Sequence, residues 1–287
     1  MAAPENPIAG VTAVTKIDGT LVGAQTDATL SWPTEVQETV TKNDYGWTST
    51  LAGMEEWSLE QSGLVLNNSG EDFISNNNAS LEIEADLGSG TEGWHTIQYL
   101  DSIDATFEMG MAETGGLDKA LARYVRPGER SMSVEIEGSY LDPAADVGEE
   151  YNELLFNRKS SSSINTRLTL AQKEFTTQVN VGDVSFDFPA ESEDATISMT
   201  LQSDGKPTEG GSDFGTGFEL FLDAFFNKSS VNAAVELHDD TGSAITGSTT
   251  HTGTGYISSL SLSASHGDPA EADVTITGDG PLSNSTI

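Results

Sequence analysis

The chain has 287 residues, with 46 Asp or Glu against 12 Lys or Arg, and its formal charge at pH 7 is -34. No window clusters the basic residues that phosphate contacts need, which excludes nucleic-acid binding of the usual kind. No apolar run approaches the ~18 residues of a membrane span, and the N-terminus lacks the regions of a secretory signal. We therefore expect a soluble chain without a membrane anchor. The absence of cysteine excludes disulfides and thiolate metal sites.

The acidity itself has two interpretations. Carboxylate-rich, lysine-poor surfaces suit concentrated salt, where a Debye length of ~3 Å at 1 M screens the self-repulsion of like charges. A polyanionic or calcium-loaded surface stays open as the functional alternative.

Apolar residues alternate with Ser, Thr and acidic residues along most of the chain. This period of two predicts half-buried antiparallel strands, and Asp18-Gly19 is one of the turn signals between them. The fold class is therefore mainly β. The alternation is clearest at Ala28, Leu30 and Trp32, at Trp57 and Leu59, and at Val274 and Ile276.

Two segments change to a helical period. Apolar residues recur with helical spacing in DVGEEYNELLFNRK (146–159) and in FGTGFELFLDAFFNK (214–228), which predicts one amphipathic helix in each. A third possible helix, GGLDKALARYV, spans 115–125.

The two helices begin a repeat. FNR, a serine turn and INTRLTL (164–170) correspond to FNK, serine and VNAAVEL (231–237). Hairpins at 182–205 and 255–280 each close on Asp-Gly, and MSVE (132–135) corresponds to WSLE (57–60). Three correspondences in the same order indicate a duplicated unit.

The order of the repeated pieces indicates that one unit is nested in the other. The middle pair of half-units is contiguous, so the outer pair forms the interrupted unit, and insertion at a surface loop is tolerated. We expect an outer module of 1–72 plus 208–287 and an inserted module of 73–207. The junctions NNSGEDFISNNN and DGKPTEGGSDFG have loop composition. A straight tandem with exchanged strands is the alternative.

The opening VTAVTKIDGTLVGAQTDATLSW, the following LAGMEEWSLEQSGLVL and the closing GYISSLSLSASHGDPAEADVTITGDGPL resemble the tail tube (major tail) proteins of long-tailed viruses. The resemblance covers the outer module almost completely and the inner module more loosely. It implies two β-sandwich or partial-barrel modules, each with one flanking α-helix. The nested copy and the acidity depart from the usual member, and together they suggest a virus of an extreme halophile, a haloarchaeon.

The resemblance also implies function and partners. Family tubes have six modules per ring, so two modules per chain imply a homotrimer, with rings stacked into a hollow tube. Other tail proteins would bind both tube ends, and double-stranded DNA would pass without specific binding. The location would be the virion tail, assembled in the host cytoplasm. The loop 33–53 would reach the adjacent ring, through Tyr45, Trp47, Thr48 and Leu51.

Catalytic and metal sites have little support. The four histidines, His95, His238, His251 and His266, are scattered, so surface or packing roles are expected. Gly215-Thr216-Gly217 lacks the lysine and strand context of a phosphate loop. We expect no enzyme activity, no cofactor and no resident metal.

Two other functions remain open. One is a carbohydrate or cell-surface binding β-sandwich of a halophile, in which Tyr45 and Trp47 would form a sugar platform. The other is the inner tube of a contractile injection system, which shares the fold.

Overall fold

The computed structural model describes residues 12–22, 25–39, 49–65, 79–86, 92–114, 123–139, 153–154, 162–170, 173–188, 195–214, 216–239, 243–265 and 268–286. The chain is mainly β, as predicted, and sixteen strands form one large antiparallel sheet in a β-sandwich arrangement. Among the described strands this sheet does not close into a barrel.

The strands fall into three runs along the chain. The first run is β1 (Thr12–Ile17), β2 (Thr20–Leu21), β3 (Gln25–Ser31), β4 (Thr34–Thr39), β5 (Ser49–Glu55) and β6 (Ser58–Leu64). The second is β7 (Ala79–Ala85), β8 (Gly93–Thr96), β9 (Leu100–Glu113), β10 (Val125–Ser139), β11 (Ile164–Leu170), β12 (Lys173–Asp187), β13 (Thr196–Ser203) and β14 (Thr208–Gly211). After helix α1 (Thr216–Asn227), the third is β15 (Val231–His238), β16 (Thr249–Ser265), β17 (Glu271–Gly278) and β18 (Ser283–Thr286).

Two sets of strands have the same order. Neighbouring strands run β2-β1-β15-β16-β17-β6-β3 in one set and β8-β7-β11-β12-β13-β10-β9 in the other, and every pair is antiparallel. The short strands also correspond. β18 pairs with the beginning of β16, next to β17, and β14 pairs with the beginning of β12, next to β13. We refer to these as the outer set and the inner set.

The irregularities of the two sets correspond as well. β3 shifts register against β6 between Gln25 and Asp27, and β9 shifts against β10 at its own beginning, between Leu100 and Ser102. The long strands β16 and β12 each contain a shift near their middle, against β17 and β13. A bulge bends its strand and increases the local twist, so both long strands are bent at equivalent places.

The two sets are joined by one ladder. β16 pairs with β15 through its first half, and from Ser259 to Ser265 the same edge pairs with β9. The outer and inner sets therefore share one hydrogen-bonded sheet.

The core lies under this joint. Phe107 of β9 contacts Phe225 and Phe226 of α1 edge to face, with ring centroids 6.0 and 5.6 Å apart. It also lies 5.3 Å from the Phe175 ring of β12. Arg130 Nη1 of β10 donates to the carbonyls of Phe225 and Phe226 at the helix end, over 3.0 and 2.5 Å. Helix α1 thus packs against both sets.

The structure confirms the strand alternation, the two Asp-Gly hairpins, now β12–β13 and β16–β17, and the helix predicted for 214–228. Of the helix predicted in 146–159, only Glu153 and Leu154 are described, and both are helical.

Two sequence predictions need correction. The possible helix 115–125 is wrong at its end, because β10 begins at Val125, and the Arg123 amide donates to the Glu55 carbonyl instead of to a helical partner. The stretch DGKPTEGGSDFG, predicted as a loop, contains β14, whose backbone pairs with β12. Its glycines and Pro207 are typical of a loop. The short strand forms nevertheless, because its ladder depends on backbone groups and not on side chains.

Candidate functional surface

Eight adjacent strands present one polar face to solvent. They run β3-β6-β17-β16-β9-β10-β13-β12, and on each strand the residues that alternate with the core point away from it. We call this surface the acidic face. Its residues are Asp27, Thr29, Ser31, Ser58, Glu60, Ser62, Glu271, Asp273, Thr275, Ser259, Ser261, Ser263, Ser102, Asp104, Thr106, Glu108, Ser133, Glu135, Glu137, Thr196, Ser198, Thr200, Gln202, Asp183, Ser185 and Asp187.

The register places these residues in rows across the strands. One row runs from Thr29 through Glu60 and Thr275 to Ser259 and Glu108. Because residues directly opposite in a ladder share a face, the whole row points the same way. The acidic face therefore continues from the outer set to the inner set without interruption.

Hydroxyl groups bond within this face. Ser62 Oγ donates to Asp273 Oδ1 over 2.5 Å, and the Oγ atoms of Ser185 and Ser198 lie 2.7 Å apart. An open groove crosses the inner half of the face, lined by Asp104, Glu135 and Glu137 among others. These residues carry carboxylates, hydroxyls and one amide.

Most of the basic residues that the structure describes lie elsewhere. Arg126 of β10 is an exception, because it pairs with Ala112 of β9, which continues the alternation beyond Glu108, and it is exposed. Lys173, in β12 on the core side, is buried, and its Nζ lies 2.6 Å from Glu219 and 3.2 Å from Asp213. Burial is the largest influence and lowers its pKa, but the hydrogen bonds to Glu219 and Asp213 outweigh it and raise the pKa above the ordinary lysine value. This cation ties β12 of the inner set to α1.

Three more cations are paired at the periphery. Arg167 contacts Glu82 across β11 and β7, and this hydrogen bond raises the arginine pKa. Lys16 lies 2.7 Å from Glu236, and the pKa of that carboxyl is lowered mainly by the hydrogen bond from Lys16. Arg123 pairs with Glu56 and Glu113. None of these pairs lies on the acidic face.

The two outermost strands of the acidic face carry exposed apolar side chains on their core side. Trp32, directly after β3, is 41% exposed. On β12, Phe186 is 41% exposed, and Phe188, just beyond the strand, is 67% exposed. The two phenyl rings stack with centroids 6.0 Å apart. We treat these exposed rings as candidate contact residues at the two edges of the face.

Most of the predicted loop contact lies outside the described residues. Tyr45, Trp47 and Thr48 are not described, and neither is the side chain of Leu51. The backbone of Leu51 belongs to β5 and pairs with Gln37 of β4. The inter-ring contact of this loop therefore stays a prediction.

The described histidines lie apart from one another. His95 Nε2 is 3.1 Å from the Ala85 carbonyl, His238 Nε2 is 3.1 Å from Glu236, and His251 Nδ1 is 2.7 Å from Asn284. In the described part of the chain, no group of three or more His, Asp or Glu could hold a metal ion. His266 lies outside the described residues.

Sequence reasoning left two features unassigned. It did not identify which carboxylates share a face, because that depends on strand order. It also missed Phe186 and Phe188, since the alternating VSFDF of β12 is typical of a core strand. Exposure in the folded chain, rather than residue type, distinguishes them.

In the described part of the chain, no helix combines the length and the apolar character needed to cross a membrane.

A comparison with solved structures found 13 similar chains, three of which are described here. A chain of the virion of a native gene transfer agent particle is 17% identical, with 45% of this chain and 95% of that chain covered and a TM-score of 0.38. A chain from the tail of an empty gene transfer agent particle, refined with C6 helical symmetry, is 17% identical, with 46% and 95% covered and a TM-score of 0.37. The SPP1 tail tube protein is 15% identical, with 48% and 80% covered and a TM-score of 0.36. No protein-family model and no curated protein matches the sequence.

Proposed function

We propose that this chain is the structural subunit of a viral tail tube, which self-associates into stacked rings around a channel for double-stranded DNA. The observation that carries the proposal is the acidic face, a broad sheet surface rich in carboxylates and hydroxyls, with Arg126 as its only basic residue, at the β9–β10 end, among the described residues, and its outermost strands expose apolar side chains. The similar structures named above come from a gene transfer agent virion, a gene transfer agent tail and the SPP1 tail tube, and the tube role is proposed here on this chain's own geometry.

The acidic face suits the inner wall of such a channel. Proteins hold DNA by placing Lys and Arg against phosphates, and a conduit must avoid that interaction. Carboxylates such as Asp104, Glu108 and Glu135 repel phosphates, and the serines and threonines between them keep the wall hydrated. DNA would then pass without specific binding and without chemistry.

The chain would contribute two units to each ring. We propose an outer unit of 1–72 plus 208–287 and an inner unit of 73–207, and the matching order and bulges of the two strand sets support this division. Because β14 pairs with β12, we move this boundary, so that the inner unit ends at Gly211 and the second part of the outer unit begins at 212. Three chains would supply six units, and the segment 33–53, which contains β4 and the start of β5, would contact the adjacent ring.

The charge predicts a requirement for salt. Three chains carry 3 × -34 = -102 charges, and at ~0.1 M salt the Debye length of ~10 Å leaves neighbouring subunits repelling one another. We propose a host that lives in concentrated salt, such as a haloarchaeon. Other tail proteins would bind the two ends of the tube in the virion, after assembly in the host cytoplasm.

Electron microscopy of the purified full chain tests this function. At molar salt we expect rings or tubes with a central hole, and transfer to ~0.1 M salt should dissociate them. A monodisperse monomer at high protein concentration and molar salt would contradict the proposal. Rings that persist unchanged at low salt would contradict the salt requirement alone.

A further inference from the structure

The ladder between β16 and β9 is a template for a second ladder of the same kind. In the outer set, one edge of β16 pairs with β15 and then, from Ser259 to Ser265, with β9 of the inner set. In the inner set, β11 pairs with the first half of β12 and ends at Val179. The second half of β12 therefore corresponds to the part of β16 that pairs with β9.

Registers within the sets give the residue correspondences for β3 and β9. Thr29 pairs with Glu60 on β6, and Asp104 pairs with Glu135 on β10. Because β6 and β10 occupy the same place in the two sets, Thr29 corresponds to Asp104. It follows by counting along the strands that Ala28, Leu30, Ser31 and Trp32 correspond to Ile103, Ala105, Thr106 and Phe107.

The same reasoning relates β12 to β16. Val184 pairs with Met199 on β13, and Leu260 pairs with Val274 on β17. The two hairpins align at Val179 and Gly255, which face the first residues of β11 and β15. Val184, Ser185, Phe186 and Phe188 then correspond to Leu260, Ser261, Leu262 and Ala264.

We propose that β3 of one chain pairs antiparallel with the second half of β12 of a second copy, in the register that β9 and β16 use within the chain. This inference rests on the proposed function and names its subunit contact. The template pairs Phe107 with Leu260, Ala105 with Leu262, Ile103 with Ala264 and Thr106 with Ser261. The predicted pairs are therefore Trp32 with Val184, Leu30 with Phe186, Ala28 with Phe188 and Ser31 with Ser185.

The chemistry of the predicted pairs agrees with this register. The row on the core side is apolar on both strands, as it is in the template. Trp32 and Phe186 are each 41% exposed and Phe188 is 67% exposed, whereas their counterparts Phe107, Leu262 and Ala264 are at most 3% exposed. The template residues are buried because a neighbouring unit covers them, so a neighbouring chain would bury the exposed ones.

The opposite side of the predicted ladder is polar. Ser31 would face Ser185, and Thr29 would face Asp187, which are all residues of the acidic face. A slip by one residue would place Phe186 opposite Ser31 and move apolar rings onto that face. The proposed register therefore continues both the core and the acidic wall into the next chain. Among the described strands, β3 pairs with β6 alone, which leaves its other edge to this contact.

Paired cysteines test the contact directly, since the chain has no cysteine of its own. The full chain with Ser31→Cys and Ser185→Cys is treated with an oxidant or a short thiol-reactive cross-linker at molar salt. The residues face each other only between chains, so we expect covalent dimers and a closed trimer on denaturing gels. Each single variant alone should stay monomeric on the gel, and a mixture of the two should give dimers only.

A control variant distinguishes the register. Ser31→Cys with Asp187→Cys offers the same chemistry two residues away, and its cross-linking should be at least tenfold slower. Rings that assemble under the microscope but cross-link through the control pair, or through neither pair, would overturn the contact and leave the tube function standing. A chain that remains monomeric at molar salt would overturn both.

Discussion

The indole of Trp57 fills the space that a side chain at Gly278 would need. A Cβ added to Gly278 would lie 2.4 Å from the Cε2 and Nε1 atoms of the ring, and Nε1 donates to the Gly280 carbonyl over 3.1 Å. The corresponding residues of the inner set are Met132 and Ser203, where the Met132 amide donates to Ser203 Oγ over 3.2 Å. The outer set thus has the indole of Trp57 opposite a glycine, and the inner set has the thinner side chain of Met132 opposite a serine.

This exchange predicts coupled mutations. Gly278→Ser should destabilise the chain by about 1–3 kcal/mol through overpacking, because the ring of Trp57 is held in place. In a Trp57→Met background the same change should cost less, with a coupling of about 1–3 kcal/mol. Urea unfolding of the four proteins of the cycle at constant salt measures it. Simple additivity would mean that the two positions do not compensate each other as their inner counterparts do.

Charged residues in the exposed apolar row should block assembly. Trp32→Glu or Phe186→Glu places a carboxylate opposite an apolar partner in the proposed ladder, so rings at molar salt should give way to folded monomers. Leu21→Glu is the matched control, because Leu21 is 55% exposed and lies away from the row. Light scattering coupled to size exclusion measures the mass, and circular dichroism checks the fold. Assembly that is equally sensitive to the Leu21 change would count against the row as the contact.

Reversing charge on the acidic face should make the proposed tube bind DNA. Asp104→Lys with Glu135→Lys puts two ammonium groups on the proposed wall, and short duplexes should then be retained in a salt-dependent manner. Log K should fall with log salt by about 0.9 per phosphate contact. Fluorescence anisotropy is measured at the lowest salt at which rings persist. Glu92→Lys with Asp268→Lys changes the net charge equally at exposed residues outside the face, and comparable retention by that control would contradict the assignment of the wall.

Loss of the buried Lys173 cation should destabilise the chain. Lys173→Met leaves Glu209, Asp213 and Glu219 without their shared partner, and breaking a buried pair in this way costs about 3–5 kcal/mol. Lys16→Met is the control, because its pair with Glu236 is more exposed and should contribute about 0–1 kcal/mol. Urea unfolding midpoints compare the variants. Similar losses for both would show that burial adds nothing at Lys173.

The raised pKa of Lys173 also predicts how the free energy of unfolding changes at alkaline pH. Its contribution is fully present below the unfolded lysine pKa of about 10.4 and is lost as the pH rises through the higher folded pKa. Wild-type stability should therefore fall in that alkaline window more steeply than the stability of Lys173→Met. Parallel profiles for the two proteins would contradict the assignment.

Local patterns in the sequence predict the elements but not their neighbours. Alternation at Val274 and Ile276 and the Phe spacing of α1 identify a strand and a helix, because each depends on one period. The pairing of β16 with β9 joins residues far apart in sequence, and no local pattern encodes it. The acidic face could not be predicted for the same reason, since Glu60 and Glu108 belong to one surface only through the strands between them.

The sequence also does not show which apolar side chains of the strands are exposed. Phe186 and Leu262 are both apolar residues in an alternating strand, yet only Leu262 is covered, because β9 lies beside it. Trp32 was correctly placed in the apolar alternation, but its 41% exposure follows from its position at the end of the outermost strand. The contact predicted for Tyr45 and Trp47 remains a prediction.

The β9·β16 ladder also limits the number of units that a closed ring could contain. If each chain contributes its two similar units together, a closed ring can contain only an even number of units. A ring of five or seven units would leave one unit of a chain outside it. In the proposed ring, the channel diameter would therefore change only in steps of one whole chain. An assembly error would have to add or lose a whole chain, a larger and more readily rejected mistake than the loss of one half.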